Sequence, residues 1–195
     1  MLDKLDAWDR QVLIFLNQLH ADALDPVVFY LTKTEVWIPL YIILLYLIFR
    51  DHKKRGWLVI VGVALCILLT DRITSGLMKP GFERLRPSHN PELEGILHLV
   101  NGYRGGLYGF ASSHAANTVG IALFVFLLFR KTYSHIWLIF LWAALMSYTR
   151  IYLGVHYPGD IIVGAGVGLA CGYASFRFYK WLASRKAPTD SSSTS

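Results

Sequence analysis

The sequence predicts an all-α integral membrane protein: a helical bundle of five transmembrane helices with an interfacial amphipathic helix at the N-terminus. Hydrophobic residues make up 54% of the 195 residues, charged residues only 16%, and mean hydropathy is +0.42. Soluble domains carry about 25% charged residues. The apolar residues are gathered into five runs, several of them near the ~20 residues that an α-helix needs to cross a bilayer.

The five predicted spans have a nearly uninterrupted apolar composition. They cover roughly residues 37–49, 57–78, 115–129, 136–151 and 161–182. The first and third are short, so flanking residues must complete them or the bilayer must thin. We interpret residues 35–186 as the transmembrane core, and the Ser/Thr-rich residues 187–195 as a disordered tail.

Residues 1–34 are predicted to be an N-terminal interfacial segment. Charged side chains between Asp3 and Arg10 alternate with apolar ones, which is typical of an amphipathic helix in the membrane interface, here over residues 2–31. The early acidic residues argue against a secretory signal. A sixth span over residues 12–31 is an alternative, which the aspartates in that run disfavour.

The formal net charge of +6 is distributed as in an oriented membrane protein. Basic residues are concentrated in the connection 50–55, the connection 130–135 and the segment 177–186. The positive-inside rule places these regions in the cytoplasm, and the connections 79–114 and 152–159 outside. The expected location is therefore a bacterial inner membrane, with the outer connections facing the periplasm or exterior. Membrane lipids are the expected surroundings, and no nucleic-acid partner is expected.

The first of three polar clusters on the predicted outer side is K-P-G-F-E-R-L-R-P, which contains Lys79, Arg84 and Arg86. Cations this close repel one another unless an anion joins them. Arginine forks match phosphate oxygens in pairs, and lysine adds a point charge. A phosphate site is therefore predicted, with a lipid-headgroup anchor as the alternative for this cluster alone.

The second cluster is G-F-A-S-S-H-A-A-N, in which Ser112, Ser113 and His114 come just before an apolar run. This is an expected helix N-terminus, where backbone N–H groups and serine hydroxyls can bind phosphate oxygens. A protonated His114 can give a proton to a departing alkoxide. Plain N-capping beside an interfacial histidine is the alternative.

The third cluster is T-R-I-Y-L-G-V-H-Y-P-G-D, between the fourth and fifth runs, with Arg150, His156 and Asp160. A histidine and a carboxylate at i+4 can share one helical face, so that Asp160 holds one ring nitrogen and leaves the other free as nucleophile or acid. Together the clusters predict an electropositive pocket with two histidines, which suits phosphoryl transfer.

These clusters resemble the motifs of the type 2 phosphatidic acid phosphatase family, K-x6-R-P, P-S-G-H and S-R-x5-H-x3-D. They correspond here to residues 79–87, 111–114 and 149–160, and the spacing of the first and third motifs is matched in full. The departures are Ala111 for proline, Ser113 for glycine and Thr149 for serine. None of them removes a charged or titrating group.

The resemblance implies a metal-independent lipid phosphatase without a cofactor. His156 would attack phosphorus to form a phosphohistidine, Asp160 would fix its tautomer, and His114 would protonate the leaving oxygen. The phosphoryl oxygens would be held by the other matched residues, Lys79, Arg86, Ser112, Ser113 and Arg150. The implied substrates are lipid phosphates or diphosphates, such as undecaprenyl diphosphate, phosphatidic acid, phosphatidylglycerophosphate and the phosphates of lipid A.

Two other interpretations stay open. An anion transporter or channel would use the same cations to bind phosphate without breaking a bond. A zinc site formed by His114, His156 and Asp160 would put a divalent cation among fixed positive charges with one obvious carboxylate, which electrostatics disfavours.

Two features inside the predicted spans complete the expectations. Asp71 in the second span is interpreted as a partner of a site arginine, because charges inside a membrane are usually paired or functional. Glycines of the last span form a predicted small-residue surface that lets helices approach closely. They are Gly164, Gly166, Gly168 and Gly172.

Overall fold

The computed structural model describes residues 2–185, and within them the chain is helical apart from loops and one isolated antiparallel bridge, Leu85 with Tyr108. The helices are α1 (Leu2–Gln18), α2 (Asp25–Leu31), α3 (Ile38–His52), α4 (Gly56–Asp71), α5 (Lys79–Phe82), α6 (Ser113–Phe129), α7 (Ile139–Tyr152) and α8 (Pro158–Arg185). The predicted all-α class is confirmed. The predicted disordered tail, 187–195, lies outside the described residues.

Two helical stretches are long and apolar enough to cross a membrane. They are Thr34–Phe82, with a mean hydropathy of 2.0, and Pro158–Arg185, with 1.5. The apolar helices Ser113–Phe129 and Ile136–Tyr152 are shorter. Only 33% and 28% of the most apolar windows of the two long stretches are buried inside the protein, so their apolar side chains face outward as lipid-facing side chains do. Five membrane crossings stay a prediction.

The closest helix pair in the bundle is α6 with α8, because glycines let the two backbones touch. A Cβ atom added at Gly168 or Gly172 would collide with a main-chain oxygen of α6, and one added at Gly164 would collide with the carbonyl of Ser112, the residue that caps that helix. These glycines follow each other at i+4, on one face of α8. Gly166 lies off this face and has open space beside it, so the predicted small-residue surface consists of the other three.

The first two basic connections lie at the same end of the bundle. Tyr133, between α6 and α7, donates a hydrogen bond of 2.6 Å to Asp51 at the end of α3. The ring of His52 packs 5.9 Å from Phe129 and 6.3 Å from Tyr179 of α8. The connections that carry the three polar clusters therefore lie at the opposite end.

The N-terminal segment differs from the predicted single helix over residues 2–31. The helix ends at Gln18, and a new one begins at Asp25. Pro26 in the first turn of α2 has no N–H and cannot continue a preceding helix. Asn17 also turns its amide onto the main chain of His98, at 3.0 and 2.8 Å. The continuous helix, and with it a sixth span over residues 12–31, is wrong.

The first helix packs against the end of the bundle that carries the polar clusters. Leu13 of α1 is fully buried in a small core with Leu93, Ile151 and Tyr157. These partners come from the long connection before α6, from the end of α7 and from the turn that leads into α8. The interfacial position of α1 stays a prediction, but its contacts hold it beside the candidate site.

Candidate active site

The third polar cluster forms where the chain turns from α7 into α8. Gly154 closes α7 with a φ of +66°, and a Cβ atom there would lie 2.8 Å from Leu99. Glycine is the residue that adopts this conformation without strain. The turn buries His156, which is 1% exposed, and places its Nδ1 3.2 Å from Oδ2 of Asp160.

The pairing of His156 with Asp160 is present, but not on one helical face as predicted. Pro158 begins α8, so His156 lies before the helix and Asp160 in its first turn. Asp160 is fully buried, and the same Oδ2 also accepts the N–H of Tyr157 at 3.1 Å. With Nδ1–H donated to the carboxylate, Nε2 of His156 is left as the basic nitrogen.

The arginine of the first motif lies next to this pair. Arg86 is 8% exposed, and its Nη1 lies 3.5 Å from the carbonyl of Val155, the residue before His156. Its Nε donates to the carbonyl of Tyr108 at 3.2 Å. A Cβ atom at Gly105 would lie 2.9 Å from Arg86 Nη1, so the loop can approach the guanidinium only through a glycine.

The second cluster is joined to the other two by hydrogen bonds. Ser112 caps α6, with its Oγ accepting from Ala115 N at 3.4 Å, while its own N–H donates to the Asp160 carbonyl at 3.0 Å. Ser113 Oγ accepts from Lys79 Nζ at 2.8 Å. A π-helical turn, Arg72–Met78, directly precedes this lysine. Residues far apart in sequence thus come together at one end of the bundle.

Arg150 is buried beside the cluster, and no carboxylate of the described residues pairs with it. It is 2% exposed, donates from Nη1 to Thr32 at 2.8 Å, and its Nη2 lies 3.4 Å from the Tyr103 hydroxyl. Its Nε has no hydrogen-bond partner within residues 2–185. Burial of an unpaired guanidinium is costly, so this arrangement favours an anion as the missing partner.

The positive charges of the three cations affect the protonation of both histidines. Burial, followed by the charges of Arg86, Arg150 and Lys79, lowers the pKa of His156 well below its usual range. The same cations surround His114. In the described part of the chain, none of the three has a carboxylate within ion-pair distance. A neutral His156 in a cationic pocket is what a nucleophile toward a phosphate ester requires.

Two expectations about charged residues are wrong. Arg84, predicted to join the phosphate cluster, contacts carboxylates instead, including Asp160 Oδ1 at 2.9 Å. The sequence signal for these contacts was a pair of aspartates on one face of α1, but they lie outside the three family motifs. Asp71 accepts a hydrogen bond from Asn117 at 3.1 Å rather than from an arginine, because it lies on the α6 side of its helix.

Sequence reasoning also missed two contacts of Arg150. Thr32 lies just after α2 and Tyr103 in the long outer connection, and neither belongs to a motif. Burial acts to raise the pKa of Tyr103, but the hydrogen bond to Arg150 and the charges of Arg150 and Arg86 outweigh it and lower this pKa. Within residues 2–185, no three His, Cys, Asp or Glu side chains come together as metal ligands.

Comparison with known proteins agrees with this geometry. The sequence model of the PAP2 superfamily matches residues 55–184, which include all three polar clusters. The chain is 40% identical over 182 residues to a lipid A 4'-phosphatase of Bacteroides thetaiotaomicron, covering 92% of this chain and 79% of that protein. It is 37% identical over 178 residues to a lipid A 4'-phosphatase of Porphyromonas gingivalis, with coverages of 91% and 75%.

A solved structure has the same fold. The crystal structure of Aquifex aeolicus LpxE superposes with a TM-score of 0.61 at 27% identity, covering 86% of this chain and 93% of that one. The extent of these matches decides the family. The chain belongs to the PAP2 superfamily, and it is a membrane phosphatase.

Proposed function

We propose that this phosphatase removes the phosphate of a membrane lipid at the outer face of a bacterial inner membrane, through a phosphohistidine on His156. The observation that carries the proposal is the convergence, on a buried histidine–aspartate pair, of three cations that have no carboxylate partner in the part of the chain that the structure describes. They are Lys79, Arg86 and Arg150. A phosphate monoester carries about −1.5 to −2 charges at neutral pH, which these cations would balance.

In the first chemical step, Nε2 of His156 attacks phosphorus and the bond from phosphorus to the lipid oxygen breaks. The buried Asp160 keeps the proton on Nδ1 and stabilises the imidazolium that develops. His114 is protonated when the bound phosphate offsets the charges of the surrounding cations, and it gives this proton to the leaving oxygen. The cations, with Ser112 and Ser113, hold the phosphoryl oxygens, whose charge they stabilise more strongly as the transition state forms.

In the second step, water attacks the phosphohistidine. His114, now neutral, takes a proton from the water as it attacks, the bond from phosphorus to His156 Nε2 breaks, and inorganic phosphate leaves. Fixed cations supply the charge stabilisation in both steps, so the proposed reaction needs no metal ion.

An apolar cavity supports a lipid as the substrate. It has a volume of about 500 Å³ and is lined by His114 and Asn117 near the start of α6, and its other walls come from Thr34 and from α3, α4, α6 and α7. Its apolar walls include Leu44, Val63 and Ile121. A chain in this cavity would bring its phosphate toward His114. The similarity to lipid A 4'-phosphatases makes lipid A 4'-phosphate the first substrate to test, before undecaprenyl diphosphate and phosphatidic acid.

Wild-type protein in detergent is expected to release inorganic phosphate from a lipid phosphate in the presence of a chelator. Phosphate release is measured against time for lipid A, undecaprenyl diphosphate and phosphatidic acid at equal surface concentration. Activity lost in chelator and restored by zinc would replace the proposal with a metal mechanism. Phosphate movement across vesicles without any release would support the transporter instead.

A bulkier side chain in the cavity is expected to weaken binding of lipid substrates and to leave hydrolysis of soluble substrates nearly unchanged. Ile121→Trp should raise KM for a long-chain lipid phosphate about tenfold, equivalent to losing roughly two buried methylene contacts at about 0.8 kcal/mol each. Hydrolysis of a soluble aryl phosphate should stay within about twofold, since its phosphate binds without a tail. Leu141→Trp, on the outward face of α7 and 57% exposed, is the control. Equal loss on both substrates would contradict a tail site.

A further inference from the structure

The first helix is joined to the candidate site by an ionic network centred on Arg84. Its Nη1 donates to Asp160 Oδ1 at 2.9 Å. Its Nη2 donates to Asp6 Oδ1 at 2.9 Å and to Asp9 Oδ2 at 2.8 Å, both from α1. Its guanidinium also lies over the ring of Tyr157, with 4.0 Å between Cζ and the ring centroid.

Asp9 makes a second contact with the same part of the molecule. Its Oδ1 accepts the N–H of Gly159, in the first turn of α8, at 2.7 Å. A Cβ atom at Gly159 would lie 2.7 Å from Asp9 Oδ2, so the carboxylate fits against a bare backbone. Asp9 is therefore bound on one side to Arg84 and on the other to the helix turn that carries Asp160. Its own burial is nearly complete, with 6% exposed.

The network acts on the oxygen of Asp160 that His156 does not use. Asp160 presents Oδ2 to His156 and Oδ1 to Arg84, so the guanidinium fixes the rotation of the carboxylate. Both η-nitrogens of Arg84 donate hydrogen bonds to carboxylates. Arg84 therefore differs from Arg86, which is only two residues away.

We propose that Asp9 and Arg84 are positioning residues, which hold Asp160 in the orientation that keeps His156 ready to attack. This rests on the proposed function, and it makes α1 a part of the catalytic apparatus rather than only a membrane attachment. The carboxylates of Asp6 and Asp9 also balance the charge of Arg84. Asp160 thereby keeps enough negative charge to stabilise the imidazolium that forms on His156.

The kinetic test compares Arg84→Gln and Asp9→Asn with Arg10→Gln. Arg10 is the matched control because it pairs with Asp6 and Glu92 without contacting Asp160. Arg84→Gln is expected to lower kcat on the order of 10- to 100-fold, as loss of an orienting partner does, with KM within about twofold. Asp9→Asn should lower kcat less, and Arg84→Lys should restore part of the activity. Thermal unfolding in detergent shows whether each variant folds.

A pH profile separates positioning from a structural effect. The groups that face His156 are Lys79, Arg86, Arg150 and Asp160, with His114 beside the same cations and Tyr103 contacting Arg150. Removing the positive charge of Arg84 favours the imidazolium, so the acid limb of kcat/KM should move to higher pH in Arg84→Gln. Removing the negative charge of Asp9 should move it to lower pH. The substrate titrates identically in every variant, so the differences belong to the protein.

Nitrogen-15 NMR of labelled histidines gives a readout that does not need activity. His156 is assigned by its loss in His156→Ala, and the wild-type ring is expected to be neutral with the proton on Nδ1. Arg84→Gln should lose this single tautomer, and Arg10→Gln should keep it. An unchanged tautomer in Arg84→Gln would overturn the proposal even if the wild type hydrolyses no lipid phosphate. In an active enzyme, wild-type kcat in Arg84→Gln, or equal losses in Arg10→Gln, would overturn it while leaving the phosphatase function intact.

Discussion

His156→Ala is expected to lower kcat by at least about 10,000-fold, because removing a nucleophile leaves only the contribution of binding and charge stabilisation. The ring is 1% exposed and is held by a fully buried Asp160, and the alanine side chain offers no atom that could attack phosphorus in its place. Phosphate release from the best lipid substrate is the measurement. KM should change little, because the phosphoryl oxygens are held by cations elsewhere in the pocket.

His135→Ala is the control for this variant. His135 is exposed in the basic connection between α6 and α7, at the opposite end of the bundle, where its Nδ1 lies 3.0 Å from the Ser134 hydroxyl. Its variant should keep activity within about twofold, as surface substitutions usually do. A His156→Ala protein that folds and retains more than a small fraction of wild-type kcat would contradict the assignment of the nucleophile.

Arg150→Ala is expected to lower kcat/KM about 10- to 150-fold, since a charge-assisted hydrogen bond contributes about 1.5 to 3 kcal/mol. The expectation rests on an unpaired Nε in a guanidinium that is 2% exposed. Arg150→Lys keeps the charge but loses the planar fork, and should give an intermediate rate. Initial rates at low substrate concentration measure kcat/KM directly.

The matched control removes an equal charge from the other end of the bundle. Arg130 is exposed just after α6, beside the basic connection that carries Tyr133. Arg130→Ala should leave kcat/KM unchanged. Equal losses in the two alanine variants would mean that net charge or folding, rather than a phosphate contact, accounts for the effect of Arg150.

The helices of the bundle could be predicted from sequence because their signal is local. The apolar run at 115–129 lies within α6, which starts just after Ser112. The run at 161–182 lies within α8, which starts at Pro158. The break in the N-terminal segment was missed. Amphipathic periodicity continues past Gln18, but α1 ends there, where Asn17 makes tertiary hydrogen bonds with His98 that are not visible in sequence. Pro26 only prevents a helix from running through into α2.

The site could be predicted as far as the motifs extend. Spacing brought His156 and Asp160 together correctly, although the helix begins between them. The contacts of Thr32 and Arg84 were not predicted, because their partners are distant in sequence. Thr32 contacts Arg150, and Arg84 contacts α1. Composition alone does not separate Arg86 from Arg84, whereas the spacing of the first motif selects Arg86. The carboxylate partners of Arg84 depend on the packing of α1, which the motif does not describe.

The central claim, a phosphoryl group carried on His156, is tested most directly by trapping the intermediate. His114→Ala is mixed with a soluble aryl phosphate, whose leaving group needs no proton, quenched in alkali and analysed by peptide mass spectrometry. A phosphoryl group is expected on the peptide that contains His156, formed faster than free phosphate and absent from the His156→Ala protein. Aryl alcohol and phosphate released together without bound phosphoryl, or phosphoryl on another residue, would contradict the account.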